Sequence, residues 1–206
     1  MKDEVRREEK RRDLKADRSA IERKLARDRP LAEASDNPVA ETKDPRFEAG
    51  AMASQLEHLP MSVGDPRTLR GAATAAGLSE IFAYTLQSGR VDVGFISGAQ
   101  IDRYGNINST SIGADHRHPT VRFPGSGGSA DIACLARRTV IIAQHERRRV
   151  PERVDYITSP GWLEGGASRR QAGLRWGGPS VVVTTRAVLR FHPDSKEMVL
   201  ASYHPG

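Results

Sequence analysis

Three short apolar runs rich in β-branched residues constrain the fold of this 206-residue chain more than any other feature. They lie at 91–96, 139–143 and 180–185, and each has the length and composition of a buried strand. Long connections separate them, as the parallel strands of one sheet require. Two further segments, 188–191 and 198–203, flank the turn signal Pro-Asp-Ser and predict a closing hairpin. The sequence therefore predicts an α/β fold with a mostly parallel open sheet, flanking helices and an antiparallel edge.

Two helices are predicted to flank this sheet. Apolar residues within 78–86 recur at spacings of three and four, which indicates an amphipathic helix that ends at Gly89. A second apolar run at 132–136 follows a glycine-rich turn and has helical character. The only cysteine of the chain, Cys134, lies in this run and is expected to be a buried helix residue rather than a nucleophile.

The first 46 residues differ in composition from the rest. Residues 1–30 hold 12 Lys and Arg against 8 Asp and Glu, and so carry +4 of the net charge of +6. These basic residues alternate with acids and have no aromatic neighbour to stack on a base, which argues against a nucleic-acid-binding arm. The sequence predicts a charged leader and linker at 1–46, irregular or helical, and one folded domain at 47–206.

Several classes of protein are excluded by composition. One cysteine permits neither an intrachain disulfide nor a multi-cysteine zinc site. His116 and His118 flank no carboxylate or cysteine cluster, so no metal site is expected. The sequence has no apolar run of 18 residues and no apolar signal core, so we expect a cytoplasmic protein with no membrane association.

The segment 125–131, Gly-Ser-Gly-Gly-Ser-Ala-Asp, is the first candidate for chemistry. It joins an extended segment at 120–123 to the helix predicted at 132–136. Such a turn places several backbone N–H groups at the start of a helix, where the helix dipole favours negative charge. Reactions that form an oxyanion need donors of this kind. Glycine turns before helices are common, so the turn alone indicates an anion site without specifying the reaction.

A second candidate segment, 98–108, follows the strand predicted to end at Ile96. Ligands of open α/β sheets bind just beyond the carboxyl ends of the strands. Asn106 and Asn108 suit the Asx turns of a polar loop. Gln100 is less easily explained as a turn residue, because its amide brings both a donor and an acceptor to the point where the backbone leaves the sheet.

A basic run, Arg147-Arg148-Arg149, follows the strand predicted at 139–143, together with His145. Clusters of arginine bind phosphate well, so a phosphate-bearing ligand is one candidate. The alternative is a solvated strand end, which the sequence alone favours.

Five ordered blocks within residues 59–161 resemble the β subunit of the class I CoA-transferases, in particular the glutaconate CoA-transferase-like branch. The blocks are Leu-Pro-Met-Ser-Val-Gly-Asp-Pro at 59–66, Phe-Ala-Tyr at 82–84 with Gly-Arg-Val-Asp-Val-Gly-Phe at 89–95, Gly-Ala-Gln-Ile-Asp-Arg-Tyr-Gly-Asn at 98–106, Gly-Ser-Gly-Gly at 125–128, and Arg-Val-Asp-Tyr-Ile-Thr-Ser-Pro-Gly at 153–161. A looser similarity continues to the Ser-Tyr-His-Pro-Gly at 202–206. The resemblance implies a CoA-transferase β-subunit-like fold for the 47–206 domain.

The resemblance also implies a nucleophile. In the family this is a glutamate in a Glu-x-Gly motif a little upstream of the Leu-Pro-x-Ser block, and Glu48-Ala49-Gly50 stands at that place. Spacing alone would make Glu48 a solvated linker residue. With the resemblance, Glu48 is expected to attack an acyl-CoA carbonyl and then to carry CoA as a thioester, which an acceptor carboxylate resolves.

The remaining site roles rest on the same resemblance. Gly127 and Gly128 are expected to donate backbone N–H groups to the oxyanion of each tetrahedral intermediate. Substrate and CoA contacts are expected at Gln100, Asn106, Gly125 and Ser126. No cofactor is implied, since CoA is a substrate, and the implied partner is a CoA-transferase α subunit acting on an acyl-CoA and a carboxylate.

The chain also departs from this family pattern. Family members begin with apolar strands and a glycine loop that residues 1–46 lack, and they usually extend some tens of residues beyond the final His-Pro-Gly. The 47–206 domain is therefore expected to be incomplete at both ends. Two alternatives stay open: an acyl-CoA hydrolase of the same fold, like relatives that open rings of steroid-derived CoA thioesters, and a non-catalytic interaction protein with an acidic partner. Glu48 favours transfer over hydrolysis.

Overall fold

A computed structural model describes residues 46–58, 60–174 and 176–204, so the predicted leader lies outside the described residues except for Arg46. The described residues belong to one compact unit, residues 43–206. The strands within them, numbered in chain order, are β1 (Ala51–Met52), β2 (Thr74–Ala75), β3 (Val93–Ile96), β4 (Gln100–Ile101), β5 (Ile107–Asn108), β6 (Ser111–Ile112), β7 (Val121–Arg122), β8 (Arg138–Ala143), β9 (Pro179–Thr184), β10 (Ala187–Phe191) and β11 (Met198–Tyr203).

Five of these strands form the central sheet, in the order β11-β10-β9-β8-β3. Strands β3, β8 and β9 are parallel, whereas β9, β10 and β11 pair antiparallel. The register aligns Ile96, Ile141 and Val182, all buried in the core. The predicted fold class is confirmed, because the three β-branched runs form adjacent parallel strands and the last two strands form the antiparallel edge.

Three α-helices are found among the described residues. They are α1 (Leu78–Glu80), which continues as a π-helix at Ile81–Leu86, then α2 (Ser129–Leu135) and α3 (Ser168–Gln171), with short 3₁₀ helices at Pro66–Leu69 and Arg147–Arg149. The predicted helix at 78–86 is confirmed in extent but not in pitch. Gln87 donates its backbone N–H to the carbonyl of Phe82 at 2.8 Å, a five-residue spacing that widens the last turns.

Helix α2 determines where the glycine-rich turn lies. A Cβ on Gly94 of β3 would overlap the side chain of Ile132, so helix and strand approach closely. At the other end of α2, Arg137 donates its N–H to the carbonyl of Val91, just before β3 begins. The helix therefore runs antiparallel to β3 and β8. Its amino end, with the turn before it, lies at the carboxyl edge of the parallel strands, where open α/β sheets bind ligands.

The segment 98–108 is more regular than predicted, because it contains the hairpin of β4 and β5. Ile101 and Ile107 pair across it and are almost fully buried, at 1% and 0% exposure. Gln100 and Asn108 also pair, and the Asn108 amide donates to Gln100 Oε1 at 2.7 Å. The two isoleucines draw this segment into the core, which makes it part of the scaffold.

The region between Trp162 and Trp176 contributes to the interior. Its Arg169 on α3 is 2% exposed, and burial lowers the pKa of its guanidinium. The guanidinium donates to four backbone carbonyls, those of Ala133, Pro160, Gly161 and Trp176, at 2.7–3.0 Å. Arg169 thereby satisfies a carbonyl in the last turn of α2, a position that needs an external donor.

Candidate active site

Glu48 lies in a tight turn that leads into β1. Phe47 donates its N–H to the carbonyl of Ala51 at 2.9 Å, and Gly50 donates to the carbonyl of Phe47 at 2.9 Å. Gly50 has a φ of +115°, and a Cβ there would overlap the carbonyl oxygen of Ala76. Only glycine fits both constraints. The Glu-x-Gly motif therefore has a structural reason: the glycine closes the turn that presents the glutamate.

The structure brings Glu48 against the glycine-rich turn. A Cβ placed on Gly128 would lie 2.9 Å from Glu48 Oε2, and one placed on Gly127 would lie 3.7 Å from Oε1. The same position on Gly128 would overlap the ring of Phe82, which comes from the π-helix. Gly128 is thus enclosed between a carboxylate and an aromatic ring, and a larger residue would have to displace one of them.

The turn itself offers free backbone donors. Ser129 donates its N–H to the carbonyl of Ser126 at 3.0 Å, which closes the turn just before α2. Within residues 46–58, 60–174 and 176–204, no oxygen accepts the N–H of Gly127 or Gly128. Two donors at a helix start therefore lie beside a half-buried carboxylate. This arrangement can stabilise an oxyanion that forms when the carboxylate attacks a carbonyl.

The predicted residues of the second segment occupy a different environment, since Gln100 and Asn106 are 6% and 1% exposed. Asn106 Oδ1 accepts the N–H groups of Gly161 and Leu163, at 2.9 and 3.0 Å, while its Nδ2 donates to Asp102 and to the Leu163 carbonyl. These four bonds use the full capacity of the amide. The geometry favours a scaffold role for Asn106, and its predicted substrate contact stays a prediction.

Gln100 is similarly engaged. Its Oε1 accepts from the Asn108 amide at 2.7 Å and from the Asp155 backbone N–H at 3.2 Å. The amide therefore joins β4 to the segment around Asp155. Like that of Asn106, its predicted role in substrate or CoA binding stays a prediction.

This hairpin supports the glycine-rich turn through the backbone. Gly125 donates its N–H to the carbonyl of Ser109 at 3.0 Å, one residue after β5. The Ser129 and Ser159 hydroxyl groups lie 2.8 Å apart, and Ser159 in turn pairs with Ile107 of β5. The segment 98–108 thus holds the turn in place from one side while Glu48 approaches it from another.

Sequence reasoning missed the residues that hold this arrangement together. Asp102 is 3% exposed and accepts the N–H groups of Tyr104 and Asn106 at 3.0 Å each. Burial raises the pKa of its carboxyl, although these hydrogen bonds act in the opposite direction. Phe82, Ser159 and Arg169 were also missed as support for the site. Their contacts join segments that are far apart in the chain, so no local sequence pattern predicts them.

The histidines show no metal-binding arrangement. His118 Nδ1 lies 2.9 Å from Asp115 Oδ2, and the His116 ring lies 6.3 Å from the Tyr156 ring at a tilt of 42°. In the part of the chain that the structure describes, no group of three or more His, Cys, Asp or Glu side chains is placed to hold a metal ion. Nor does any helix among those residues have the length and apolar character needed to cross a membrane.

Comparison with known proteins identifies relatives of this chain. It is 41% identical over 160 residues to the B subunit of the 3-oxoadipate CoA-transferase of Pseudomonas knackmussii, covering 78% of this chain and 61% of the relative. It is 44% identical over 165 residues to the B subunit of the glutaconate CoA-transferase of Acidaminococcus fermentans, covering 77% of this chain and 60% of the relative. The chain therefore spans about 60% of the length of these curated relatives.

A solved structure agrees with these similarities. The crystal structure of glutaconate CoA-transferase from Acidaminococcus fermentans matches 77% of this chain and 62% of its own, with a TM-score of 0.70 and 41% identity. The sequence model of the coenzyme A transferase family matches residues 42–206. This chain belongs to the coenzyme A transferase family.

Proposed function

We propose that this chain is the β subunit of a CoA-transferase and moves CoA from an acyl-CoA to a carboxylate through a thioester on Glu48. One observation carries the proposal: the Glu48 carboxylate lies against Gly127 and Gly128, whose N–H groups have no acceptor among the described residues. A nucleophile beside unpartnered donors is the arrangement that acyl transfer requires.

The first half of the reaction loads CoA onto the protein. A Glu48 oxygen attacks the acyl-CoA carbonyl, the N–H groups of Gly127 and Gly128 stabilise the tetrahedral oxyanion, and CoA leaves as a thiolate. The product is a mixed anhydride between Glu48 and the acyl group. The thiolate then attacks the Glu48 carbonyl carbon, which releases the donor acid as a carboxylate and leaves glutamyl-CoA.

The second half runs the same steps in reverse with the acceptor. Its carboxylate attacks the Glu48 thioester carbonyl, expels the CoA thiolate and forms a new anhydride. The thiolate attacks the acceptor's acyl carbon, so that acceptor acyl-CoA leaves and the Glu48 carboxylate is regenerated. No proton is gained or lost overall, and the same two donors serve every tetrahedral intermediate.

The proposal includes a partner and a location. Both relatives are named as the B component of a CoA-transferase, which supports an α subunit as the partner that completes this chain's site. A cytoplasmic location is supported by the cysteine content, since Cys134 is the only cysteine and lies half-buried on α2.

A trapping experiment tests the thioester. The chain is purified with its α subunit and incubated with glutaconyl-CoA or 3-oxoadipyl-CoA, then treated with borohydride, which reduces a glutamyl thioester to an alcohol. Peptide mass spectrometry should find the reduced residue at Glu48. Glu48→Gln should abolish the signal. The matched control is Glu57→Gln, which removes an exposed carboxylate that pairs with Arg70 at 2.8 Å, and it should leave the signal intact.

Two results would overturn the proposal. An active complex that gives no reduced Glu48 would exclude the thioester. Release of CoA without any acceptor, at the same rate in Glu48→Gln, would instead establish the hydrolase alternative.

A further inference from the structure

Four arginines gather at the carboxyl edge of the parallel strands. Arg147, Arg148 and Arg149 form the 3₁₀ helix that follows β8. Arg186 follows β9, the parallel neighbour of β8, so both segments leave the sheet at the same edge. We call these four residues the arginine rim.

Hydrogen bonds join the segment that carries Arg147, Arg148 and Arg149 to the segment that carries Arg186. His145 Nδ1 lies 3.0 Å from Thr184 Oγ1, and the same hydroxyl accepts the backbone N–H of Arg186 at 3.3 Å. The His145 backbone N–H donates to Thr185 Oγ1 at 3.1 Å. These bonds hold the segment after β8 against the segment after β9. The arginines of both segments are therefore fixed to neighbouring strands, although Arg149 and Arg186 are 37 positions apart in the sequence.

The charge of the rim is only partly balanced. Glu146 pairs with Arg148 at 2.6 Å and with Arg149 at 3.4 Å. Arg147 and Arg186 are exposed, and neither side chain has a hydrogen bond or an ion pair within the described residues. The single carboxylate of Glu146 thus pairs with two of the four guanidinium groups, which leaves an excess positive charge suited to a phosphate-bearing ligand.

The rim is continuous with the candidate active site. Arg149 Nη1 lies 3.5 Å from the carbonyl of Gly98, at the start of the segment 98–108. The neighbouring Ala99 donates its N–H to Asn108 at 2.9 Å, and Ser109 accepts the N–H of Gly125 at 3.0 Å. One hairpin thus separates the arginines from the glycine-rich turn, with both at the same edge of the sheet.

We propose that the arginine rim binds the phosphate groups of CoA while the thioester end lies at Glu48. The inference rests on the proposed function, because it takes CoA as the substrate. CoA carries its reactive sulfur and its phosphates at opposite ends of an extended molecule, which matches a carboxylate and an arginine cluster separated by one hairpin. The two arginines without a carboxylate partner, Arg147 and Arg186, are the principal phosphate ligands.

Binding measurements on the full chain with its α subunit test this inference. Titration calorimetry compares CoA, 3′-dephospho-CoA and pantetheine for the wild type, for Arg147→Gln, for Arg186→Gln and for the double variant. Each single variant should weaken CoA binding by about two- to fivefold, as expected for one exposed ion pair. Their affinity for pantetheine, which has no phosphate group, should stay at the wild-type value.

The matched control is Arg170→Gln. It makes the same charge change at an exposed arginine of α3, beside the Arg169 that contacts the carboxyl end of α2, and so near the opposite edge of the sheet. It should leave CoA affinity unchanged. An equal loss of CoA affinity in the control would show a general charge effect and would overturn the inference that the arginine rim binds the CoA phosphates.

Other outcomes also decide the matter. CoA and pantetheine affinities that change in parallel, or a double variant that binds CoA like the wild type, would overturn the inference. Loss of affinity for a single-stranded oligonucleotide, with CoA affinity intact, would assign the rim to another ligand. None of these results affects the trapping of glutamyl-CoA at Glu48, so the proposed function and the rim fail independently.

Discussion

The turn at 46–52 and the hairpin segment at 98–108 both carry polar residues beside glycines, yet the structure uses them in opposite ways. In the turn, backbone hydrogen bonds and Gly50 fix the conformation of the chain. The Glu48 side chain makes no hydrogen bond or ion pair within the described residues. In the hairpin segment, Gln100, Asp102 and Asn106 are buried and bonded to one another or to the backbone. One region keeps its polar side chain available, and the other uses its polar side chains as structure.

This difference separates two meanings of a polar residue near an active site. An uncommitted group beside free N–H donors can react, whereas a saturated amide in the interior can only position others. Substitution of Glu48 should therefore reduce transfer without unfolding the chain. Substitutions in the hairpin segment should reduce stability, and activity only as a consequence.

The largest effect is expected for Glu48→Gln. Removing the nucleophile should lower transfer by about 10⁴-fold or more. The free energy of unfolding should change by less than about 0.5 kcal/mol, because the carboxylate supports no other group among the described residues. Steady-state transfer assays and urea unfolding of the same preparation check both numbers. A variant that is inactive because it unfolds would break the comparison.

Gly128→Ala is expected to come next. The added methyl would overlap the Phe82 ring and crowd Glu48 Oε2, so that donor and carboxylate no longer align. Transfer should fall by about 10²–10³-fold, the usual loss for one oxyanion donor. Gly64→Ala is the matched control, because a Cβ there meets nothing within 4 Å. Wild-type rates in Gly128→Ala would mean that the turn does not serve the reaction.

Asn106→Ala tests the other side of the comparison. The change leaves the N–H groups of Gly161 and Leu163 without their acceptor and should lower the free energy of unfolding by about 2–4 kcal/mol. Gln171→Ala, at an exposed position of α3, should lower it by less than about 0.5 kcal/mol. Chemical denaturation measures both. A loss of transfer at unchanged stability would instead place Asn106 against the substrate.

The smallest effect is a pH dependence at Asp102. Because burial raises the pKa of this carboxyl above its ordinary 3.8, the folded chain holds the proton over a pH range in which the unfolded chain has lost it. Stability owed to this group is therefore greatest below 3.8 and falls as pH rises through the folded pKa. Asp102→Asn removes the titration.

The measurement for Asp102 is the unfolding free energy of the wild type minus that of Asp102→Asn, followed from acid to neutral pH. This difference should decrease as pH rises. A difference that increases would mean that the hydrogen bonds from Tyr104 and Asn106 outweigh the burial of the carboxyl. The exposed Asp194→Asn, which makes the same chemical change at the surface, serves as the reference variant.

Local patterns predicted most of the sheet. The runs at 91–96, 139–143 and 180–185 became β3, β8 and β9 to within two residues, because short runs rich in β-branched residues favour strands. The segment 98–108 was harder, since Ile101 and Ile107 are too few to signal a hairpin against their polar neighbours. Arg169 was beyond reach for a different reason: its acceptors lie on Ala133, Pro160, Gly161 and Trp176, which only folding brings together.

The sequence by itself determined the α/β class, the positions of the principal strands and membership of the coenzyme A transferase family. Short runs of neighbouring residues are enough to indicate a buried strand, and the order of the motifs can be read directly from the sequence. It also singled out Glu48 and the turn at 125–128, but as separate segments. Only the tertiary structure decided that the carboxylate meets Gly127 and Gly128, and that Gln100 and Asn106 hold the scaffold. Which groups stay free and which are saturated depends on contacts across the fold, and no local pattern records them.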